Sequence, residues 1–407
     1  MRVLHVSAGN LHGGLETMLV TLARCRALSP ELESEFAVCF AGRAEDELRA
    51  AGATVHRLGE VRVRWPLSIL RARRALGSLI EQRGFDTVIC HSPWTQAIFG
   101  PVVRQGGAAS IFWLHDVATG RHWLERWAAR VVPDGAICTS RFTAASLPLI
   151  YPQQSSRVPR VPCEVVYCPV ASAPGVSQAD RAAVRAELGA APEAAVVIQV
   201  SRMEEWKGHR LHLNALARLA GVPGVSDGGS GGGSSGGSRW TCWIVGGAQR
   251  AHEARYLEAL RAEAAALGIG SRVNFLGQRG DVARLLAAAD IHCQPNTGPE
   301  PFGITFIEAL YAGLPVVTTA IGGALEIVDG SCGILIEPND PAALAEALGR
   351  LIEDRELRAR LGAAGPARAT ALCEPRAQLQ ALARALSSLR PGRARDTQVK
   401  TVEEPSP

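Results

Sequence analysis

Short apolar runs alternate along the chain with segments of helical periodicity. In the first half the apolar runs are RVLHVS, EFAVCFAG, TVHRLG, DTVICHS, ASIFWLH, GAICTS and EVVYCPV. Helical patterns lie between them, near residues 14–29, 45–52, 66–83, 93–105, 121–130 and 141–150. Strand-like runs that alternate with helical segments predict parallel strands joined by crossover helices.

The second half repeats this pattern, with apolar runs AVVIQVS, TCWIVGG, RVNFLG, DIHCQP, PVVTT and CGILIEP, each followed by a helical segment. A chain of 407 residues exceeds what one hydrophobic core usually supports. We therefore predict an α/β fold of two doubly wound Rossmann-like domains, residues 1–170 and 171–388, which meet near residues 169–178. Ligands bind beyond the carboxyl ends of the strands in such sheets, so we expect the site in a cleft where the two domains face each other.

Two segments depart from the alternating pattern. Residues 226–238, SDGGSGGGSSGGS, have no side chains that could form a core, so they are predicted to be a flexible insertion, whether engineered or natural. The tail, residues 389–407, is poor in apolar residues and is predicted to be disordered. Neither segment contains a candidate site residue.

Composition narrows the functional class. Apolar residues make up 47% of the chain, which is enough for sizeable cores, and the formal net charge of +4 is too small for a dedicated nucleic-acid binder. The N-terminal MRVLHVSAG enters a strand pattern without a signal-peptide layout, and no window approaches the about 18 apolar residues of a membrane span. We expect a cytoplasmic protein whose contact with a membrane, if it has any, is peripheral.

The ten cysteines form no CxxC pair and no regular framework. Five of them lie in strand-like apolar runs, where cysteine acts as a small core residue: Cys39, Cys90, Cys138, Cys242 and Cys293. Cys163 and Cys168 flank a short apolar run and are close enough in sequence to bridge, although free thiols are the better interpretation. This usage indicates a reducing compartment.

The segment GPEPFGITFIEALYAGLPVV carries the strongest chemical signal. Glu300 and Glu308 stand eight residues apart, with a Pro-Phe-Gly turn between them. Acidic residues near a helix start gain a little from the helix dipole, which accounts for Glu300. It does not account for Glu308, which lies among apolar residues, where a carboxylate needs a partner or a function. Two carboxylates so placed can accept hydrogen bonds from sugar hydroxyls, those of a ribose at Glu308 and those of a second sugar at Glu300.

Groups that suit a diphosphate lie around this segment. Gly303 permits a tight turn, and the backbone amides of the helix beginning at Ile304 and Thr305 favour an anion. Arg202 and Lys207 follow the strand AVVIQVS, where two cations can neutralise a diphosphate or can simply be solvated. Glycines in the turn SAGNLHGG, including Gly13 and Gly14, suit either close approach to a phosphate or sugar or a plain structural turn.

The glycine pair after the first strand, the Arg-x4-Lys-Gly of 202–208 and the Glu-x7-Glu of 300–308 resemble the motifs of the retaining glycosyltransferases of family four. The resemblance covers roughly residues 1–388 and is most specific in the Glu–Glu segment and the following AGLPVVTTAIGGALEIV. It implies the two-domain GT-B architecture. It also implies a nucleotide-sugar donor on the second domain, an acceptor mainly on the first, and a last helix, residues 374–388, that crosses back to the first domain.

The resemblance implies roles for individual residues. Arg202 and Lys207 match the phosphate ligands, Glu300 the donor-sugar carboxylate and Glu308 the ribose carboxylate. A histidine that follows a strand in the first domain matches His115, with His91 as the competing candidate. No Asp-x-Asp occurs in the chain, which agrees with a retaining hexosyltransferase that needs no metal and no cofactor. Leu15 stands where relatives often have a small residue, which puts the shape of the acceptor site in doubt.

Donor base and acceptor are less determined. Gln278 and Arg279 follow the strand RVNFLG and are the candidates for base contact, with UDP preferred over GDP. The commonest setting of relatives, cell-envelope or exopolysaccharide synthesis, implies a saccharide or lipid-linked acceptor. Residues 62–83 form a basic amphipathic pattern that either packs on the sheet or docks on the inner membrane surface. Trp123 and Trp127 are either core residues or an aromatic wall for an acceptor.

Three other functions share parts of this architecture or its ligand chemistry. A nucleotide-sugar 2-epimerase of similar architecture would need additional acid and base carboxylates, for which the sequence offers no candidates. A non-catalytic nucleotide-sugar-binding protein is disfavoured because both cations and both carboxylates are present. An NAD-dependent dehydrogenase is disfavoured because the glycines do not follow the GxGxxG spacing.

Overall fold

A computed structural model describes residues 1–10, 13–152, 161–173, 175, 177–221 and 240–390. The chain divides into two compact units, which are described separately. The first unit comprises Met1–Pro169 and the chain from Pro375 onward, and the second comprises Val170–Glu374. Strands and helices are numbered in chain order.

The first unit contains a seven-stranded parallel sheet in the order β3-β2-β1-β4-β5-β6-β7. Its strands are β1 (Arg2–Ser7), β2 (Glu33–Val38), β3 (Val55–Arg57), β4 (Thr87–Cys90), β5 (Ala109–Leu114), β6 (Gly135–Cys138) and β7 (Cys163–Val165). The central strands are buried along their whole length, which explains why they are apolar runs rather than alternating ones.

Helices connect these strands. They are α1 (Gly14–Arg24), α2 (Arg43–Ala50), α3 (Pro66–Arg83), α4 (Pro93–Gln105), α5 (Trp123–Ala128), α6 (Arg141–Ser146) and, at the far end of the described chain, α15 (Pro375–Leu389). Helix α15 packs on this unit: Leu389 is buried against Gly135, Ser388 hydrogen-bonds Glu164 at 3.1 Å, and Arg390 pairs with Asp86 at 3.0 Å.

The second unit contains a six-stranded parallel sheet in the order β10-β9-β8-β11-β12-β13. Its strands are β8 (Ala195–Val200), β9 (Trp240–Val245), β10 (Val273–Gly277), β11 (Ile291–Gln294), β12 (Val316–Thr319) and β13 (Gly333–Ile336). Its helices are α7 (Gln178–Glu187), α8 (His209–Leu219), α9 (Ala251–Ala266), α10 (Val282–Ala288), α11 (Ile304–Tyr311), α12 (Ala324–Ile327), α13 (Pro341–Glu353) and α14 (Arg355–Cys373).

Both sheets reverse their strand order once, between β1 and β4 in the first and between β8 and β11 in the second. Consecutive strands added on one side of the starting strand are followed by strands added on its other side. The helices that leave two such neighbouring strands diverge and open a crevice at the carboxyl ends, where doubly wound proteins bind ligands. The structure therefore confirms the predicted α/β class with two Rossmann-like sheets.

Several predicted boundaries need correction. The helix predicted over 14–29 ends at Arg24 and is followed by a 3₁₀ turn at Arg26–Leu28, and the helix predicted over 141–150 becomes a 3₁₀ turn at Leu147. Pro148 explains the second change, since proline cannot donate the next helical hydrogen bond. The run EVVYCPV forms only the short, exposed strand β7.

The first two residues of the tail predicted over 389–407 are ordered: Leu389 ends α15, and Arg390 makes an ion pair. Residues 391–407 and the Gly/Ser insertion 226–238 lie outside the described residues. Within the described ranges, no helix is both long and apolar enough to cross a bilayer.

All ten cysteines are free thiols. Eight of them are buried, including the five that were predicted to lie in strand cores. The Cys163 sulfur lies 3.5 Å from the sulfur of Cys138 on the neighbouring strand β6, while Cys168 is buried elsewhere in the core. Free thiols at Cys163 and Cys168 were the preferred interpretation of the sequence, and both are free.

Candidate functional site

The switch point of the second sheet brings together two loops that carry candidate residues. Strands β8 and β11 are neighbours there, with Ile291 opposite Val197 and His292 opposite Ile198. The loop after β8 contains Arg202 and Lys207, and the loop after β11 contains Glu300. The topology thus places at one edge residues that stand almost a hundred positions apart.

Gly208 fixes how closely these two loops approach. Its φ angle is +73°, which favours glycine. A Cβ atom at this position would clash with the backbone carbonyl oxygen of Pro295 in the loop after β11. The absence of a side chain at 208 therefore allows the β8 loop, with Lys207 immediately before it, to lie against the β11 loop.

Lys207 and Glu300 form an ion pair in this contact. The Lys207 Nζ donates to the Glu300 Oε2 at 2.6 Å, and the two side chains are only 13% and 9% exposed. The ammonium also lies 3.9 Å from the ring centroid of Trp206, which adds a cation–π contact. Because both charges are largely withdrawn from water, each needs the other while no ligand is bound.

Two amides reinforce the same carboxylate oxygen. The Gln294 Nε2 donates to the Glu300 Oε2 at 3.0 Å, and the Asn296 Nδ2 donates to it at 2.9 Å. Together with Lys207 they place three donors on one oxygen and fix the position of the carboxylate. No hydrogen bond reaches the other oxygen, Oε1, from any described residue, so that atom remains able to accept one from a ligand.

Arg202 is held by a different carboxylate. Its Nη2 donates to the Glu253 Oε1 at 2.6 Å, and its Nη1 lies 3.0 Å from the Glu204 Oε1. Glu253 is fully buried near the start of α9, where it also accepts from the backbone N–H groups of Gln249 and Arg250. The Arg202 Nε is buried and has no partner among the described residues. The guanidinium is therefore oriented on one side and retains an unused donor.

The start of α11 provides backbone donors. Gly303 precedes the helix with φ +111°, and a side chain there would clash with the ring of Phe306. No side chain caps the helix at this end. The first amides of a helix have no intrahelical acceptor, so those near Ile304 and Thr305 carry the positive end of the helix dipole.

Glu308 lies one turn into the same helix. Its side chain is half-buried, and burial raises its pKa from the usual 4.5 to about 7. No described residue provides its carboxyl group with a hydrogen-bond donor. A carboxyl group that is desolvated without a partner is destabilised in its charged form, and a ligand with hydroxyl groups would supply the missing donors.

Gln278 and Arg279, the candidates for base contact, lie outside the cluster around Lys207 and Glu300. Gln278 is exposed after β10 and has Gly247 against its backbone. Arg279 binds Asp281 through two hydrogen bonds of 2.8 and 2.7 Å, which raises the pKa of the guanidinium. No described contact joins either residue to the Lys207–Glu300 pair, so the structure does not bring them into that cluster.

The predicted glycine turn of the first unit leads directly into α1. Gly14 is the first residue of the helix, and the Gly13 N–H donates to the Glu16 Oε2 at 3.0 Å. The backbone of Gly13 is extended, so its φ angle does not require glycine. Residues 11 and 12 lie outside the described residues. The turn is thus a helix start capped by its own glutamate.

His115 is half-buried just after β5 and hydrogen-bonds His91, the competing candidate. His91 is fully buried and continues to His5 of β1 at 2.9 Å. Of the two candidates, His115 alone has a surface that a ligand can touch. Trp127 packs against the core of this unit, while Trp123 is 48% exposed and stacks on it.

Sequence reasoning missed the residues that hold the candidates in place. Gln294 ends strand β11 and Asn296 follows it, so the rule that ligands bind at carboxyl ends of strands gave a signal for them. Glu253 gave none, because its contact with Arg202 spans 51 positions.

In the described part of the chain, no group of three or more histidine, cysteine or acidic residues is placed to hold a metal ion.

The site therefore combines two oriented cations, uncapped helix amides and two carboxylates. The cations and the amides suit a ligand with several negative charges, such as a diphosphate. Glu300 has an acceptor oxygen available, and Glu308 lacks donors, so both suit hydroxyl groups. Phosphates and sugars carry the chemical groups that these residues suit.

Comparisons with known proteins identify a glycosyltransferase family. The family model described as Glycosyltransferase Family 4 matches residues 12–172, and the one described as Glycosyl transferases group 1 matches residues 180–368. The Anabaena protein HepE, solved in complex with UDP-glucose, is similar over 95% of this chain and 100% of its own, with a TM-score of 0.79 and 24% identity. At that identity the likeness shows the fold, that of the GT-B glycosyltransferases.

Two curated relatives match in sequence over shorter regions. The phosphatidyl-myo-inositol mannosyltransferase of Mycobacterium leprae is 41% identical over 111 residues, 26% of this chain and 29% of the relative. A D-inositol 3-phosphate glycosyltransferase of Nocardia farcinica is 35% identical over 187 residues, 45% of this chain and 38% of the relative. The matched regions span well under half the length of these relatives. The two family models, however, match both sheets of the chain, which belongs to the family four, group 1 glycosyltransferases.

Proposed function

We propose that the protein transfers a hexosyl unit from a nucleoside diphosphate sugar to an acceptor hydroxyl, with retention at the anomeric carbon. The observation that carries this proposal is the Lys207–Glu300 pair beside the uncapped start of α11. A cation and a hydroxyl acceptor in direct contact can bind the two sides of the bond that breaks, phosphate on one side and sugar on the other.

The cations act on the leaving group. Departure of a nucleoside diphosphate places negative charge on the phosphate oxygen, and positive groups fixed in advance stabilise that charge. Lys207 and Arg202 supply most of it, and the amides near Ile304 and Thr305 supply the rest. Because Glu253 orients Arg202 and Glu300 orients Lys207, neither cation has to be reorganised when the charge develops.

The carboxylates recognise the two sugars of the donor. Glu300 accepts from hydroxyls of the transferred hexose through the oxygen that Lys207 and the two amides leave available. Glu308 accepts from the ribose hydroxyls, which supply the hydrogen-bond donors that its half-buried carboxyl group lacks. In the first unit, the half-buried His115, which follows β5, hydrogen-bonds a substrate hydroxyl on the acceptor side. Gln278 and Arg279 remain the candidates for base contact.

Donor and acceptor follow from the comparisons as proposals. HepE was solved with UDP-glucose, which supports UDP as the nucleotide of the donor. The names of the two relatives make inositol-bearing acceptors the first to test, beside other saccharide and lipid-linked hydroxyls. A donor screen that measures released UDP or GDP with each acceptor tests the activity directly. Epimerised donor without nucleotide release would instead identify a 2-epimerase.

Replacement of Lys207 tests the role of the cations. We expect Lys207→Met to lower kcat by about 10²–10³-fold, the usual loss when one preorganised charge stabiliser is removed. Arg210→Met is the matched control, since Arg210 stands three residues away and makes an exposed ion pair with Glu263. The measurement is initial-rate release of the nucleotide. Turnover of Lys207→Met within a few-fold of Arg210→Met would contradict the phosphate assignment.

Replacement of Glu308 tests the ribose contact. We expect Glu308→Gln to raise the donor KM more than it lowers kcat, because ribose contacts exist both before and in the transition state. A pure loss of kcat would place Glu308 at the reacting sugar instead. Glu346→Gln, an exposed change on α13, is the control.

Glu308→Gln also has a predictable effect on the free energy of unfolding. The Glu308 pKa of about 7 lies above its unfolded value of 4.5, so the folded protein keeps a proton that the unfolded chain loses. Stability is therefore lost as the pH rises from 4.5 to 7, and Glu308→Gln restores it. At pH 8 we expect the free energy of unfolding to rise on the order of 1–3 kcal/mol in urea titrations. A variant that is more stable but binds the donor less well identifies a residue kept for binding.

The proposed mechanism uses protein cations in place of a divalent metal ion. Lys207, Arg202 and the α11 amides neutralise the diphosphate, and the chain has no Asp-x-Asp motif. We expect EDTA to leave the initial rate of nucleotide release unchanged at saturating donor. Loss of activity in EDTA that Mn²⁺ restores, while Ca²⁺ does not, would refute metal independence.

We also propose that the protein acts in the cytoplasm and docks on the inner membrane surface through α3 and the residues before it. Ile69, Leu76 and Ile80 of α3 face the core. Trp65, Leu67 and Leu70 are 55%, 66% and 46% exposed. Exposed arginines surround them, namely Arg62, Arg64, Arg71 and Arg74. An apolar surface rimmed by cations suits anionic lipid.

Sedimentation with phosphatidylglycerol vesicles tests this docking. We expect binding at low salt that falls steeply as salt screens the charges, and weaker binding of the double variant Arg71→Gln, Arg74→Gln. Arg73 is left unchanged because its Nε donates to the Ile98 carbonyl at 2.6 Å and anchors α3 to α4. Arg255→Gln with Arg376→Gln removes the same charge elsewhere and is the control. No binding at low salt would indicate that α3 only packs on the sheet.

A further inference from the structure

A line of hydrogen-bonded side chains crosses four neighbouring strands of the first sheet. Ser34 of β2 lies 3.3 Å from the Nε2 of His5 on β1, and the Nδ1 of His5 lies 2.9 Å from the Nε2 of His91 after β4. The Nδ1 of His91 lies 3.0 Å from the Nε2 of His115 after β5. The order of these four residues follows the strand order β2-β1-β4-β5. The line is therefore a product of the sheet topology.

The interior of this line is sealed from water. His5 and His91 are fully buried, while Ser34 and His115 at its two ends are half-buried. The rings stack on one another, with centroids 5.1 Å apart for His5 and His91 and 5.3 Å for His91 and His115, and Trp113 stacks on the latter two. Burial lowers the pKa of His5 and of His115 to about 3 and that of His91 well below its usual value. All three imidazoles are therefore neutral near neutral pH.

Neutrality restricts the line to two arrangements. A neutral imidazole has one N–H and one bare nitrogen, so it donates on one side and accepts on the other. If His115 carries its proton on Nδ1, then His91 and His5 must also carry theirs on Nδ1, and Ser34 donates to His5. If His115 carries its proton on Nε2, the two other rings follow, and His5 donates to Ser34. A mixed set would leave two bare nitrogens, or two N–H groups, facing each other.

We propose that His5 and His91 are positioning residues, which hold the three imidazoles in one shared tautomer and thereby decide whether the outward Nδ1 of His115 donates or accepts. No described residue hydrogen-bonds this Nδ1. This inference rests on the proposed role of His115 in contacting a substrate hydroxyl. A bare Nδ1 accepts a hydrogen bond from the hydroxyl group, whereas an Nδ1–H donates one to the hydroxyl oxygen.

The two arrangements interconvert by the passage of one proton. A proton that binds the bare Nδ1 of His115 lets its Nε2–H move to the Nδ1 of His91. The Nε2–H of His91 then moves to the Nδ1 of His5, and the Nε2–H of His5 leaves through the Ser34 hydroxyl to water. One proton enters and one leaves, three N–H bonds form and three break, and no ring stays charged. The same steps in reverse return the line to its first arrangement.

Nitrogen NMR of the ligand-free protein tests the shared tautomer without any assay of activity. In protein labelled with ¹⁵N-histidine, long-range proton–nitrogen correlations distinguish the Nδ1–H form, the Nε2–H form and the imidazolium. Loss of signals in His115→Gln, His91→Gln and His5→Gln assigns the three rings, and His252→Gln, an exposed residue of the second unit, is the control. We expect all three rings to be neutral and to share one tautomer between about pH 6 and pH 8. A charged His91, or rings in different tautomers, would overturn the proposal.

A second pair of variants tests whether the line acts on His115. His91→Phe keeps a flat ring between Trp113 and His115 but removes both hydrogen bonds, whereas His91→Gln retains a donor and an acceptor. In His91→Phe we expect His115 to show both tautomers. We also expect the kcat/KM of the His91→Phe enzyme for the acceptor to fall by about tenfold or more, while the KM for the donor stays unchanged. A positioned acid or base contributes about 10²–10⁴-fold to the rate, and loss of the positioning removes a part of that. His91→Gln should recover part of that loss.

The outcomes separate this inference from the proposed function. A single tautomer of His115 in His91→Phe, or full acceptor kcat/KM in that variant, refutes the positioning role while transfer by the wild type still stands. If no donor or acceptor gives turnover in the wild type, the proposed function fails, and the NMR result alone decides the tautomer array. If His91→Phe does not fold, the tautomers of the wild-type protein still confirm or overturn the array.

Discussion

Burial of charge at the edge of the second sheet is the constraint on which the candidate site depends. Lys207 and Glu300 are each almost withdrawn from water, and each is tolerable there only because the other is 2.6 Å away. The contact requires two loops to approach closely, which Gly208 permits. In the free protein the ion pair therefore keeps a cation and a carboxylate in position that would otherwise be solvated and mobile. In the proposed function, a diphosphate and a sugar share these groups without first ordering them.

The other titratable groups differ in whether a partner compensates for their burial. The buried Glu253 accepts hydrogen bonds from Arg202 and from two backbone N–H groups, so its charge is compensated. No described residue donates a hydrogen bond to the Glu308 carboxyl group, and burial without a donor raises its pKa. In the first unit three histidines avoid the difficulty by remaining neutral. Compensated residues hold the site in place, and uncompensated ones indicate where a ligand is expected.

Much of this was accessible from the pattern of the sequence. Alternation of apolar runs and helical segments predicted two parallel sheets, and every predicted strand of the second sheet is present. Arg202 and Lys207 became candidates because they follow a strand at the edge where ligands bind, and Glu300 because it lies on the loop before a helix start. The predictions failed where a local pattern competed with a packing effect. Pro148 ended a predicted helix early, and Leu389 extended a helix into the expected tail.

The sequence by itself determined the type of each element and the residues available at each strand end, because these follow from periodicity over a few neighbouring positions. Only the tertiary structure decided which charge meets which. Lys207 joins a partner 93 positions away and Arg202 one 51 positions away. His5, His91 and His115 form a line only because β1, β4 and β5 are neighbours in the sheet. Such pairings depend on strand order, register and the exclusion of water, and none of these is encoded within a short stretch of chain.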